Sequence, residues 1–459
     1  MGVSSALDTA RSGLSAASLA IETTSNNVAN AATEGYSRQT VDLANNDPVR
    51  VGGVQQGTGV VATAIARASD RFLTGQIVEE SGTGASASSR QEVLVLAESW
   101  LADSEVEGLT QRLQGVFDAM SEATADPGDN TYRTSLAYAA DSFATTVRRT
   151  ASALNDLVND VEDKLETLVE EANTLLEQVA SLNQRIVASD GTAADLLDQR
   201  DRLLNEIAGA IGTTARIGAD GTATVMLGGH AIVSGIESRG LEVDEDDDGD
   251  VFVALTAGAG RIDMSSVIGG NVGGNVEGIE DVSGYLSRLD DLAEELADAF
   301  NEVHNAGYDL NGDAGEDFFE LASTSGHAAM GFTFNSDLLD DADLLAFASD
   351  SSAAVGDGGN LSDLIDIESS DLFDDDTTTA EKVLMSLLSD VGADVVDATM
   401  DAEHANAVLA DLQGLRDSIA GVDLDEEASN LIKFQAAYQA AAKVLRATDS
   451  MLQTLMDVV

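Results

Sequence analysis

The apolar positions at the two ends of the chain recur with a helical period. Leu7, Ala10, Leu14, Ala17, Ile21, Thr24 and Val28 alternate in steps of three and four, and so do Leu431, Phe434, Tyr438, Ala441, Leu445, Thr448, Leu452 and Leu455. Both are heptad stripes, with the period of about 3.5 residues that keeps a seam turned toward a partner helix. Small residues alternate with larger ones in the first stripe, and larger residues fill the second. The two ends are therefore expected to pair closely as a coiled coil; the alternative is that each covers a globular core separately.

Between the ends, Leu154, Leu157, Val161, Leu165, Leu168, Leu175, Val179, Leu182 and Ile186 form one apolar face with acidic residues opposite, predicting a long helix over about 143–187. Further amphipathic helices are expected over 91–125, 131–158 (leading into the long helix), 192–211, 282–306 and 379–420, with Asp126-Pro127-Gly128-Asp129 as a turn. Over 213–276 the period changes. Glycines multiply and β-branched residues alternate with polar ones, as in 222–227 and 251–255, with the acidic run 244–250 as a hairpin tip. The stretch 323–376 is acidic, rich in Gly, Ser and Asp, and reads as loop.

The expected fold is mainly α with a smaller β-rich part: paired terminal helices, an elongated helical-bundle domain and a β-hairpin-rich insertion. The divisions are 1–43 and 421–459 for the two halves of the terminal coiled coil, 44–212 and 277–420 for the helical domain, and 213–276 for the β-rich part.

Composition narrows the function. Among 459 residues, 82 are acidic and 23 basic, a net charge of −59. Such a surface repels phosphate backbones and anionic lipids, which argues against nucleic-acid and membrane partners. An acidic, lysine-poor chain suits high salt, where screening shortens to about 3 Å at 1 M, so a halophilic or marine source is expected. Cysteine is absent, which excludes disulfides and thiolate chemistry. No apolar run approaches the roughly 20 residues of a membrane span. Residues 1–20 lack the basic and compact apolar regions of a secretory signal peptide.

Candidate chemistry is sparse. Asp309, Asn311, Asp313, Asp317 and Glu320 fall on EF-hand ligand positions, but Ala314 stands where that loop needs glycine, and a local turn explains the stretch better. His230, His304, His327 and His404 show no ligand spacing. Gly269-Gly270-Asn271-Val272-Gly273-Gly274 lacks the Lys-Ser/Thr of a phosphate loop and reads as loop. No catalytic residue, cofactor or metal is assigned.

Two terminal motifs carry a resemblance. Ser25-Asn26-Asn27-Val28-Ala29-Asn30 with Thr33-Glu34-Gly35-Tyr36-Ser37-Arg38-Gln39, and Gly421 to Leu431 with Phe434 to Val444, are similar to the ends of the flagellar rod, hook and hook-associated proteins. Asp195-Leu196-Leu197-Asp198-Gln199-Arg200-Asp201, together with Ala299-Phe300-Asn301 through Asp309-Leu310-Asn311-Gly312 to Phe318-Phe319, resembles the hook-associated protein 1 branch of that family. Many members carry a larger β insertion after Phe319, where this chain has only its acidic segment.

The resemblance implies a structural subunit joining hook to filament, exported unfolded by the flagellar type III route to an extracellular position. It implies self-association in a ring, contacts with hook protein and a second junction protein, and an export chaperone at the C-terminal helix. The residues expected to serve assembly are Leu7, Leu14, Ile21, Asn26, Asn27, Val28, Asn30, Gly35, Tyr36, Arg38, Leu431, Phe434, Tyr438, Leu445, Leu452 and Leu455. The competing readings are a hook or distal rod protein and an acidic calcium-binding surface protein.

Overall fold

The computed structural model describes residues 2–51, 54–101, 108–189, 193–245, 251–257, 260–322, 326–373 and 377–458. The chain starts with α1 (Gly2–Asn30) and the strands β1 (Gln39–Asn45), β2 (Val49–Val51), β3 (Val54–Gln56) and β4 (Val60–Arg67). Four helices follow: α2 (Arg71–Leu101), α3 (Leu109–Ala123), α4 (Asn130–Ala188) and α5 (Ala194–Ile211). The β-rich part holds β5 (Thr214–Ile217), β6 (Ala223–Leu227), β7 (His230–Ser234), β8 (Glu237–Ser238), β9 (Leu241–Glu245), β10 (Val251–Ala257) and β11 (Gly260–Asp263). Then come α6 (Gly270–Ala306), β12 (Phe319–Leu321), α7 (Ala328–Gly331), β13 (Phe332–Phe334), α8 (Ser336–Asp340), α9 (Gly359–Asp366), α10 (Ala380–Ala420) and α11 (Leu424–Val458).

The architecture is mainly α with a smaller β part, as the periodicity implies. The expected helices over 131–158 and 143–187 are one continuous helix, α4. The Asp126–Asp129 turn precedes it, and Asp129 caps it by accepting from the Thr131 amide at 2.7 Å. Two buried clusters share α4. Its first half packs with α3, α6 and α10; its second half packs with α5 and the β5–β8 and β9–β11 sheets.

Asparagine amides pin those sheets to the helix. Asn173 and Asn183 each offer a donor and an acceptor to one strand residue, Leu241 and Ala223 respectively, with all four bonds at 2.8 Å. A primary amide imitates a peptide group here and satisfies backbone groups that no neighbouring strand pairs, at the edge strand β9 and at the start of β6 before its pairing with β7 begins. The expected tip at 244–250 lies outside the described residues beyond Glu245.

Three expectations are corrected. The helix expected from 91 starts at Arg71, and the one expected from 282 starts at Gly270. The Gly269–Gly274 run is thus a helix start rather than loop. Its glycines admit neighbouring backbone: a Cβ on Gly274 would lie 2.1 Å from the Ser86 carbonyl oxygen, and one on Gly270 2.6 Å from the Gly209 carbonyl oxygen. Finally, much of 326–373 is core. Phe332, Phe334, Leu338, Phe347, Leu361 and Leu364 are buried there. Arg133 holds the segment, donating to the carbonyls of Ala342 (3.2 Å) and Leu345 (2.7 Å) with its guanidinium over the Phe347 ring.

Candidate functional site

The terminal helices α1 and α11 pack along one another, and α1 also lies on the ribbon made by β1 and β4. This second contact shifts the seam. Ala10, Ala17 and Thr24 are buried, whereas Leu7, Leu14 and Ile21 are half-buried and Val28 is exposed. Gly13 faces Ala441 of α11, while Ser12 accepts from the Val60 amide of the ribbon at 3.2 Å. On α11, Leu431, Phe434, Leu445 and Leu452 are half-buried and Tyr438 is exposed. The side chain of Leu455 lies outside the described residues.

Below this pair the recognised motifs converge. α1 ends at Asn30, whose amide donates to both the carbonyl and the side chain of Asn26. Gly35 turns the chain with φ of 76°, a left-handed conformation that suits glycine. The chain then returns beside Asn27. The Asn27 amide donates to the Gln39 carbonyl (2.8 Å), and its oxygen accepts from the Gln39 amide and the Tyr36 hydroxyl (both 2.9 Å).

Two further motifs meet the same turn. In α5, Asp195 accepts from the Gln39 side chain (2.8 Å), and Asp198 accepts from the Ser37 amide (3.1 Å) and Arg67 (2.7 Å). Arg67 reaches on to Asp201 (2.6 Å). In the first turn of α11, Glu426 and Glu427 each accept from the Arg38 guanidinium at 2.6 Å. Asp423 caps that helix through the Asp425 amide. The Arg38 amide donates to the Ala420 carbonyl at the end of α10.

The electrostatics follow from this crowding. Burial pushes the Tyr36 phenol up to about 12, with Asp195, Asp198 and Glu427 adding to the shift. Burial opposes the charge on Arg67, but Asp201 and Asp198 outweigh it and raise its pKa. The hydrogen bond to Glu426 is the main cause that raises Arg38.

Comparison with known proteins agrees with the convergence. Residues 7–36 match the flagella basal body rod protein family, and 417–458 match the C-terminal family of the FlgEFG basal body rod proteins. Residues 96–319 match the helical domain of flagellar hook-associated protein FlgK. The flagellar hook-associated protein 1 of Bacillus subtilis (strain 168) is 26% identical over 98% of this chain and 97% of its own length. That of Escherichia coli (strain K12) is 26% identical over 99% and 100%. The chain is similar to flagellar hook-associated protein 1 along almost its whole length.

A further hook-associated protein 1, from Salmonella typhimurium, is 30% identical over 70% of this chain and 60% of its own length. The flagellar hook junction protein FlgK of Burkholderia pseudomallei has the same fold, with a TM-score of 0.64 over 75% of this chain and 100% of that one at 13% identity.

The calcium candidates do not form a cradle. The Asp309 carboxylate accepts from the amides of Asn311 and Asp313 (both 2.8 Å) and so closes its own turn. Asp317 accepts from Asn305. Among the described residues no group of three or more His, Asp or Glu side chains converges on one point. Conversely, Arg67, Asp198 and Glu427 belong to the site although sequence reasoning gave them no assembly role. The Asp195–Asp201 motif was the signal for Asp198, and the acidic first turn of α11 the signal for Glu427. Nothing local marks Arg67.

Proposed function

We propose that this chain is a structural subunit joining hook to filament in the bacterial flagellum, built into it through α1 and α11. The observation that carries this reading is the surface of the helix pair. Among the described residues of α11 only Glu427 and Thr448 are buried, while Ile432, Val444, Met451 and Met456 stand at least half exposed. A helix held by one narrow seam is marginal alone and gains stability when neighbours cover its other apolar side chains.

Charge supports the same reading. α1 and α11 hold only four of the 23 basic and seven of the 82 acidic residues. Copies arranged in a ring would thus bring nearly neutral helices together and leave the acidic bodies outward, where like-charge repulsion is screened. The partners in this reading are further copies in a ring, hook protein on one side and a second junction protein on the other. An export chaperone would cover α11 beforehand. The position is extracellular, reached by type III export. The parts at 44–212, 213–276 and 277–420 form the outer layers.

The test is a chain lacking 431–459, which keeps Glu426 and Glu427 for Arg38. It should retain a cooperatively melting helical body, leave hooks bare and allow flagellin to be secreted as monomer. Filaments at wild-type number would overturn the proposal.

A further inference from the structure

Asp195, Asp198 and Asp201 recur every third residue of α5 and so share one face of the helix. The ribbon meets that face with the Gln39 side chain, the Ser37 amide and two nitrogens of Arg67. Arg38, between Ser37 and Gln39, turns instead to the first turn of α11. One short stretch of chain therefore grips the body on one side and the terminal pair on the other. Apolar contacts have no preferred direction and permit sliding. Charge-assisted bonds to a planar guanidinium do have one, and they hold an angle.

We propose that Arg67, held between Asp198 and Asp201, is a positioning residue that fixes the terminal helix pair at one angle to the body and thereby decides whether a subunit fits its place in the flagellum. This rests on the assembly role proposed above. Arginine suits the task because its fork spans two carboxylates, whereas the point charge of lysine satisfies one. Asp201 is itself shared: Oδ2 accepts from Arg67 and Oδ1 from Arg200, which also donates to the Gly221 carbonyl. The β-rich part is thereby tied to the same joint. With Arg67 removed, Asp198 would lose its ion-pair partner and Asp201 would keep only Arg200, so repulsion among the carboxylates would loosen the ribbon from this face.

The test uses full-length chains with Arg67→Ala and Arg67→Lys, added to isolated hooks beside the 431–459 deletion, with amide hydrogen exchange measured in α4 and α6. Capture on hooks should fall at least tenfold for Arg67→Ala and by a smaller factor for Arg67→Lys, while α4 and α6 exchange as in the wild type. Full capture of Arg67→Ala with none of the deletion chain would overturn the joint and leave the assembly role standing. Full capture of both would overturn both. Faster exchange in α4 and α6 of Arg67→Ala would make Arg67 part of the body's own fold and would also overturn the proposal.

Discussion

Acidification from pH 7 toward 4 should destabilise the body through one imidazole. His304 is fully buried near the end of α6; its Nδ1–H donates to the Glu316 carbonyl (2.5 Å) and its Nε2 accepts from the Ala346 amide (2.9 Å). That arrangement requires the neutral ring, because a proton on Nε2 would set two donors face to face. Burial is the main cause pushing its pKa down to about 4; the Glu316 carbonyl opposes the shift and Arg133 adds to it. Between an unfolded value of about 6.5 and a folded value of about 4, the unfolded chain binds the proton and the folded chain does not. Stability therefore falls as pH falls through that window, by about 2 kcal/mol at pH 5 and about 3 kcal/mol at pH 4 relative to pH 7. Glu277 works in the opposite sense, since partial burial raises its carboxyl, so the measurement must be a difference between two chains. Urea unfolding of the wild type and of His304→Gln from pH 7 to pH 5 provides it. The variant should be about 2 kcal/mol less stable at pH 7, because a buried donor or acceptor loses its partner. The gap should close toward pH 5. Two parallel pH profiles would refute the neutral, proton-resisting His304.

Three substitutions probe the packing. Gly274→Ala places a methyl 2.1 Å from the Ser86 carbonyl oxygen and should lower unfolding stability by about 3 kcal/mol, the upper range for overpacking. Gly284→Ala, also in α6 but with open space around it, should instead raise stability by about 0.5–1 kcal/mol. Arg133→Met should cost about 3 kcal/mol by denaturant titration and speed amide exchange over 342–347, because the Pro127 carbonyl loses its side-chain donor and the carbonyls of Ala342 and Leu345 keep only a single backbone amide each.

The heptad ends, α4 and the alternating strands are legible in the sequence because each buries one face with the period of its own backbone. The start of α2 is not. Its residues 81–89 are all Gly, Ala, Ser or Thr, so no apolar stripe announces a helix. Those small residues instead allow close approach on three sides: Gly82 to the Ala208 carbonyl of α5, Gly84 to Ala405 of α10, and the Ser86 carbonyl to Gly274 of α6. The segment 326–373 misleads for a different reason. Its core residues come singly along an irregular path, and what orders them, Arg133 and His304, comes from elsewhere in the chain. In the site, Asn27, Gly35, Tyr36 and Arg38 stand out as motif residues. Arg67 only ends an ordinary alternating strand, with its partners 131 and 134 residues away. Glu427 reads locally as a carboxylate favoured by the helix dipole, yet it is buried against Arg38.

The 59-residue helix α4 has a mechanical consequence. At a rise of about 1.5 Å per residue it is about 88 Å long. Val161 packs in the first core and Leu165 in the second, so the two cores meet within about one turn of the same rod. No flexible linker lies there to absorb a twist. Torque entering at the β-rich end passes along α4 as along a drive shaft, with only the helix's own compliance to soften it. A bend sufficient to part the cores would have to break α4 itself, so they should yield together.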